Sequence, residues 1–369
     1  MGGVRNYFLK DTITRETISA PLGISFISFS AISYLSDIYL GKASAGGLID
    51  CALYLTFFPK VVSGPIVLWR DYNEQIRDRR IRLSLVSDGI NRIMIGFAKK
   101  LILADTFGSC IASISDSVDT PTVFGVSLLY MLQIYYDFSG YSDISIGLAN
   151  MLGVSFKENF NFPYLSCSIT EFWRRWHISL GTWFREYIYF PLGGSRINQI
   201  RTIVNISIVF LFTGVWHGAG WTYMLWGIIN GICNIIERLS GENKAYQRLP
   251  KFIKWFLTMG ITYFCWELFR FNNFTSCKEW FMIMFGLKRF NSIPYSWQFY
   301  FDMRMITMML IGIFGATFWG FPQVQTRYNR FVQTKSGYLC QQVVFIMLFI
   351  LSIIFMVNSS YSPFIYFQY

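Results

Sequence analysis

Apolar residues in this chain fall in long blocks rather than in the alternation of strands. Blocks at roughly 21–40, 121–138, 202–218, 221–236, 252–269, 305–322 and 342–358 each approach the about 20 mostly apolar residues that a helix needs to cross a bilayer core. They predict membrane-spanning helices. The stretch 48–69 is also apolar but contains Pro59, Lys60 and Pro65, which interrupt a helix and cannot face lipid. It reads as a broken or re-entrant segment. The stretch 82–104 mixes Arg92, Lys99 and Lys100 with Leu, Ile and Met at helical spacing, the pattern of an amphipathic interfacial helix or of a span lined by protein. The chain is therefore expected to be all-α, a polytopic helical integral membrane protein forming one domain over 1–369.

Composition agrees with that pattern. Hydrophobic residues make up 53% and charged residues only 14%, where a soluble domain carries about a quarter charged; mean hydropathy is +0.38. Aromatics at 19% fit the belts that Trp and Tyr form at membrane interfaces. The net charge of +11 does not point to nucleic acid, because the basic residues sit between apolar blocks instead of along one soluble face. They read as topology determinants and contacts to anionic membrane lipids. Residues 70–100 hold Arg70, Arg77, Arg79, Arg80, Arg82, Arg92, Lys99 and Lys100; 238–254 hold Arg238, Lys244, Arg248, Lys251 and Lys254; 327–335 hold Arg327, Arg330 and Lys335. The positive-inside rule places all three in the cytoplasm, whereas the loop 288–304, with Lys288, Arg289 and Arg304, fits that scheme less well. The first twenty residues are polar and mixed, so no cleavable signal peptide is visible and insertion relies on the internal spans. Seven cysteines, at 51, 110, 167, 233, 265, 277 and 340, form no CxxC pair and read as small packing residues, not a disulfide framework or a metal site.

The densest polar region runs from Tyr135 to Arg201. It opens with Tyr135-Tyr136-Asp137-Phe138-Ser139-Gly140-Tyr141-Ser142-Asp143, passes through Glu158-Asn159-Phe160-Asn161-Phe162-Pro163-Tyr164 and reaches Glu171, Arg174, Arg175, Trp176, His177, Arg185 and Glu186. It leaves through the turn-rich Pro191-Leu192-Gly193-Gly194-Ser195-Arg196. Too polar for lipid and too aromatic for an ordinary loop, it is expected to be buried in protein or to line a wet cavity. The chain has only two histidines, and each follows a tryptophan, as Trp176-His177 and as Trp216-His217. In a membrane protein such residues are functional candidates by default.

This run, together with Val215-Trp216-His217-Gly218, resembles the membrane-bound O-acyltransferase family, and within it the alginate O-acetyltransferase branch of bacterial polysaccharide acetylation proteins. Supporting pieces are Pro21-Leu22-Gly23-Ile24-Ser25-Phe26, Phe57-Phe58-Pro59-Lys60 through Gly64-Pro65-Ile66, Trp266 to Arg270, and the ending Pro363 to Tyr369. Members of that branch usually carry further hydrophobic segments before the position of Pro21, so the chain is expected to lack the family's N-terminal helices. Phe271 stands where a small residue is usual. The resemblance implies a multi-pass protein of the bacterial cytoplasmic membrane, with broken helices around a central catalytic cavity and a core region at 135–220. It implies transfer of an acetyl group from a cytoplasmic donor, acetyl-CoA, toward hydroxyls of an extracytoplasmic polysaccharide. No tightly bound cofactor or metal is implied. A serine-type acetyltransferase or esterase-like partner outside the membrane is.

The residues carry their own argument. His217 ends an apolar block and precedes Gly218, Ala219 and Gly220, which leave room for a substrate to approach the ring; the plain alternative is a histidine hydrogen-bonded at a helix end. The resemblance puts His217 at the family's catalytic histidine and His177 at a second family histidine, for which a structural or orienting role is as good as direct chemistry. Arg174 and Arg175, with Trp176, Trp216 and Asp137, are candidates to contact donor or acceptor, although interfacial arginines commonly snorkel or anchor and Asp137 and Asp143 fit helix caps or bridges to those arginines. Glu267 is expected to pair with Arg270 at i, i+3. An imidazole can remove the hydroxyl proton, contributing about 10²–10⁴ in rate, while His177, an arginine or an indole N–H orients or stabilises charge. No Gly-x-Ser-x-Gly elbow is present, which disfavours a serine triad within the chain. The competing readings are D-alanyl or other acyl transfer to a cell-wall polymer, an inactive truncated remnant, or a transporter or flippase, and the last lacks the repeated halves it would need.

Overall fold

The apolar blocks fold as helices, with no strand among the residues described by this computed structural model, 23–77, 79–218, 220–241 and 244–358. Pro21 and Leu22, Ala219 and the run 363–369 lie outside them. In chain order the helices are α1 (Ile24–Tyr39), α2 (Leu48–Thr56), α3 (Trp69–Arg77), α4 (Leu83–Phe97), α5 (Asp105–Ala112), α6 (Thr120–Met151), α7 (Ile169–Arg175), α8 (Ile178–Phe184), α9 (Gln199–His217), α10 (Trp221–Ser240), α11 (Lys244–Arg248), α12 (Lys251–Arg270), α13 (Phe274–Met284), α14 (Trp297–Tyr300), α15 (Met303–Ala316), α16 (Pro322–Val332) and α17 (Lys335–Asn358).

The break expected in 48–69 is present: α2 stops at Thr56, the chain turns, and α3 starts only at Trp69. Lys60 is buried in that turn, with its ammonium donating to Ser30 Oγ at 2.7 Å and lying 3.6 Å from the centre of the Tyr54 ring. The stretch 82–104 is a helix lined by protein. Its α4 portion continues into a π-helical segment, Ala98–Ala104, and the two lie along α6.

Glycines bring α4 and α6 into near-backbone contact. A Cβ on Gly96 would meet the Gly140 carbonyl oxygen at 2.7 Å, and one on Gly89 would meet that of Gly147 at 2.5 Å, so only glycine permits this approach. Ion pairs then fix the register. Arg92 and Lys99 bind Asp143 at 2.8 and 2.6 Å, while Lys100 binds Asp105 and Asp137 at 2.7 Å each. Asp137 and Asp143 thus bridge to α4 and its π-helical extension, not to Arg174 and Arg175, because α4 is the element packed along their helix.

Helix α6 starts at a cap in which Asp119 Oδ1 accepts the Thr122 N–H at 2.9 Å, with Pro121 in the first turn. Its 32 residues are largely buried among α4, α5, α12, α13 and α15, so it needs no uniformly apolar surface. Among the described residues, three helical stretches are long and apolar enough to cross a membrane: Gln199–His217, Met303–Gly320 and Lys335–Asn358. The blocks at 121–138, 221–236 and 252–269 also form helices, in α6, α10 and α12, but these turn polar or aromatic faces into the protein. The main core is aromatic and gathers side chains of α6, α7, α10, α12 and α13 around Trp176, Trp226 and Trp266. All seven cysteines are free thiols, three of them buried.

Candidate active site

Helix α9 carries Trp216 and His217 on its last turn. Asn198 caps its start, with Oδ1 accepting the Arg201 N–H at 2.7 Å. Gly218 ends it at φ 152°, where a Cβ would lie 2.8 Å from the Tyr223 ring. The His217 ring is buried and faces three aromatic neighbours: Trp216 at 4.5 Å, Phe269 at 4.7 Å and Trp226 at 5.3 Å between centroids, the last two close to perpendicular.

His177 sits in the turn between α7 and α8, in the left-handed conformation at φ 45° and ψ 52°. Such a backbone costs about 1–3 kcal/mol in a non-glycine residue and persists only where the surroundings enforce it. Here the loop 159–161 enforces it, since the Asn161 N–H donates to the Arg175 carbonyl and the Ile178 N–H to the Asn159 carbonyl, both at 2.9 Å. The imidazole is buried, with Nδ1 3.1 Å from Asn159 Oδ1 and its centroid 4.6 Å from that of Phe138, the two rings close to perpendicular. Nε2 has no hydrogen-bond partner among the described residues.

The two histidines meet across one indole. The Trp216 centroid is 4.5 Å from that of His217 and 6.4 Å from that of His177. Its own N–H is buried without a partner among the described residues, as are the Trp266 N–H and the Ser139 hydroxyl. Buried polar atoms are normally hydrogen-bonded, and two of those left without a partner among the described residues, His177 Nε2 and the Trp216 N–H, lie on neighbouring rings.

The other candidates fall elsewhere. Trp176 packs against Trp266 at 4.7 Å and stacks on Phe172 at 5.6 Å, which makes it part of the wall. Arg175 is held by Glu171 at 2.8 Å and by the Asn161 carbonyl at 3.1 Å, Arg174 is exposed, and Asp137 is bound to Lys100. Glu267 pairs with Arg270 at 3.4 Å, and the guanidinium also lies 4.4 Å from the Trp280 ring. Sequence reasoning passed over Asn159 and Trp266, whose only signal was position: Asn159 within the polar-aromatic run, Trp266 within an apolar block.

The surroundings of both rings are filled by aromatic side chains. A cavity of about 500 Å³ opens between α10, α12 and α13, with Leu225, Ile229, Cys265 and Leu268 in its wall, and neither histidine lines it. Outside the spans, partial burial pushes the Glu186 carboxyl up, but Arg70 and Lys42 at 3.0 and 3.1 Å outweigh it and hold that carboxyl below its usual range.

The model of the MBOAT, membrane-bound O-acyltransferase, family matches residues 42–247, a range that holds both histidines and Asn159. A probable alginate O-acetylase of Pseudomonas putida is 36% identical over 366 residues, covering 95% of this chain and 75% of that protein. A peptidoglycan O-acetyltransferase of Helicobacter pylori is 32% identical over 300 residues, covering 72% of this chain and 57% of that protein. A teichoic acid D-alanyltransferase of Streptococcus thermophilus is 30% identical over 254 residues, covering 63% and 59%. With the family model matching more than half its length, this chain belongs to the membrane-bound O-acyltransferase family, resembles its alginate O-acetylase-like branch, and is a membrane-integrated O-acyltransferase.

Proposed function

We propose that this enzyme takes an acetyl group from acetyl-CoA on the cytoplasmic side and passes it toward hydroxyls of an extracytoplasmic polysaccharide, with His217 as general base. The observation that carries the reading is the pair of histidines flanking Trp216 among unpaired buried polar atoms. Relatives named as an alginate O-acetylase and a peptidoglycan O-acetyltransferase support acyl transfer to a polysaccharide. The protein is assigned to the bacterial cytoplasmic membrane, which it crosses several times, with 70–100, 238–254 and 327–335 inside. Helix α9 then leads from the cytoplasm outward to His217.

The chemistry divides among three side chains. As the acceptor oxygen attacks the thioester carbonyl, its proton passes to the His217 imidazole. The oxyanion is stabilised by the Trp216 indole N–H, a buried donor with no partner among the described residues. Collapse breaks the carbon–sulfur bond, and the imidazolium returns the proton to the departing thiolate. Because that hydroxyl has a single proton, His177 Nε2 accepts a hydrogen bond from a different group, a neighbouring hydroxyl of the acceptor or an amide N–H of the donor, and so orients it.

The acceptor that receives the group outside the membrane is assigned to a serine-type acetyltransferase or esterase-like partner. Vesicles containing the protein and labelled acetyl-CoA test donor and direction, with label expected on the far side only when an acceptor is present. Full glycan acetylation in a strain lacking such partners would refute the partner. Cysteine labelling from outside intact cells at positions near Arg80 or Lys251 would refute the topology. The relative named as a teichoic acid D-alanyltransferase favours D-alanyl transfer as the second reading, tested by supplying an activated D-alanyl donor to the same vesicles.

A further inference from the structure

We infer that Asn159 is a positioning residue that fixes the proton of His177 on Nδ1 and so presents the bare Nε2 lone pair to the site. Backbone N–H donors set the orientation of the groups around His177. The Ser179 backbone N–H can only donate, and it points at Asn159 from 3.2 Å. The atom facing it is therefore the amide oxygen. The Ser179 hydroxyl accepts the Ile66 N–H at 3.0 Å and donates to the same amide oxygen at 2.8 Å. The other end of the Asn159 amide donates to Ser142 Oγ at 3.0 Å, which anchors it to α6.

His177 Nδ1 lies 3.1 Å from that oxygen. An amide oxygen only accepts, so this contact puts the hydrogen on Nδ1 and, in the neutral ring, the lone pair on Nε2; the Ser179 hydroxyl lies farther from Nδ1, at 3.5 Å, and gives its proton to the amide oxygen at 2.8 Å. Asn159 is fully buried and Nε2 is buried without a partner among the described residues. The same residue shapes the backbone, because its carbonyl takes the Ile178 N–H. Asn159 thus fixes both the ring's place and its tautomer, and it acts on the reaction only through His177. In that respect the inference rests on the function proposed for His177, whereas the tautomer does not.

A chain with only two histidines allows a direct test. The full-length protein is labelled with ¹⁵N-histidine, purified through a tag without histidine, and its imidazole nitrogens are read by NMR, with His217→Gln assigning the two rings. His177 is expected to be protonated at Nδ1 with a bare Nε2; Asn159→Leu is expected to move the proton to Nε2 or mix the two forms, and Asn159→Asp to keep it on Nδ1. An Nε2–H ring in the parent, or an unchanged ring in Asn159→Leu, overturns the assignment. The parent spectrum decides even where Asn159→Leu fails to insert. Acetyl transfer per inserted molecule then separates positioning from scaffolding by a double-mutant cycle. Asn159→Leu is expected to lose up to about tenfold in rate, no more than His177→Ala does, but to add little loss in a His177→Ala background, and Asn159→Asp to restore much of the rate. Equal losses in both backgrounds would make Asn159 a structural residue only. If His177→Ala runs at the parental rate, the function proposed for His177 fails, while the ring measurement still decides the tautomer.

Discussion

Two adjoining regions of the molecule treat their polar groups in opposite ways. Along the contact of α4 and its extension with α6, the buried carboxylates meet cations: Asp143 binds Arg92 and Lys99, and Asp137 binds Lys100. At the histidines, His177 Nε2 and the Trp216 N–H are buried without partners among the described residues. Breaking a buried ion pair leaves an uncompensated charge at high cost, so the first region is expected to serve the fold. An unpaired neutral donor or acceptor costs less, about 1–3 kcal/mol, and a substrate bringing the missing partner recovers it. The contact of α4 with α6 is held by ion pairs, whereas the atoms left open beside the histidines are an imidazole nitrogen and an indole N–H.

The comparison breaks most visibly at its closest contact. Gly96→Leu inserts a side chain where even a Cβ would lie 2.7 Å from the Gly140 carbonyl oxygen, and it is expected to abolish correctly inserted protein, read by protease resistance in membranes. Asp143→Ala leaves two cations facing each other; with Arg92 and Lys99 partly exposed, about 2–3 kcal/mol of stability is expected to be lost, with the rate per folded molecule retained. A loss of rate at parental stability would show that the ion pairs belong to the chemistry.

In the site the expectation reverses. Trp216→Phe keeps an aromatic ring beside His217 and Phe29 while removing the N–H and part of the indole's volume, so inserted protein is expected to stay near the parent while the rate falls about a hundredfold, the usual cost of one oxyanion donor. His177→Ala is expected to cost about tenfold, one hydrogen bond's worth. Arg175→Ala removes a partly exposed pair with Glu171 and is expected to change the rate less than twofold or so, with stability within about 1 kcal/mol. A large catalytic loss in Arg175→Ala would return that arginine to the substrate-binding role its position in the sequence had invited.

Much of this was legible in the chain. Block length and hydropathy predicted the helices, Pro59 and Pro65 predicted the break, and the two Trp-His pairs drew attention to the residues that the fold brings together. The ion-pair partners were not legible, because Lys100 and Arg174 lie equally far from Asp137 along the chain, one on each side, and only the packing of α4 along α6 selects Lys100. Glycine spacing in two separate helices reveals a contact only once the helices are paired. Asn159 escaped notice for a similar reason: its function lies in the direction of its hydrogen bonds, and these depend on a left-handed residue that no local pattern announces. The apolar block in α6 shows the limit of reading length and hydropathy alone, since a helix largely enclosed by protein needs no lipid-compatible surface.

The central claim is that His217 removes the acceptor proton, and it is tested most directly by acetyl transfer from acetyl-CoA per molecule of inserted His217→Ala protein. Loss of a general base typically costs about a hundredfold or more. The predicted result is a parental amount of inserted, protease-resistant protein with transfer reduced by at least that factor; transfer retained above a few per cent of the parent would contradict the assignment.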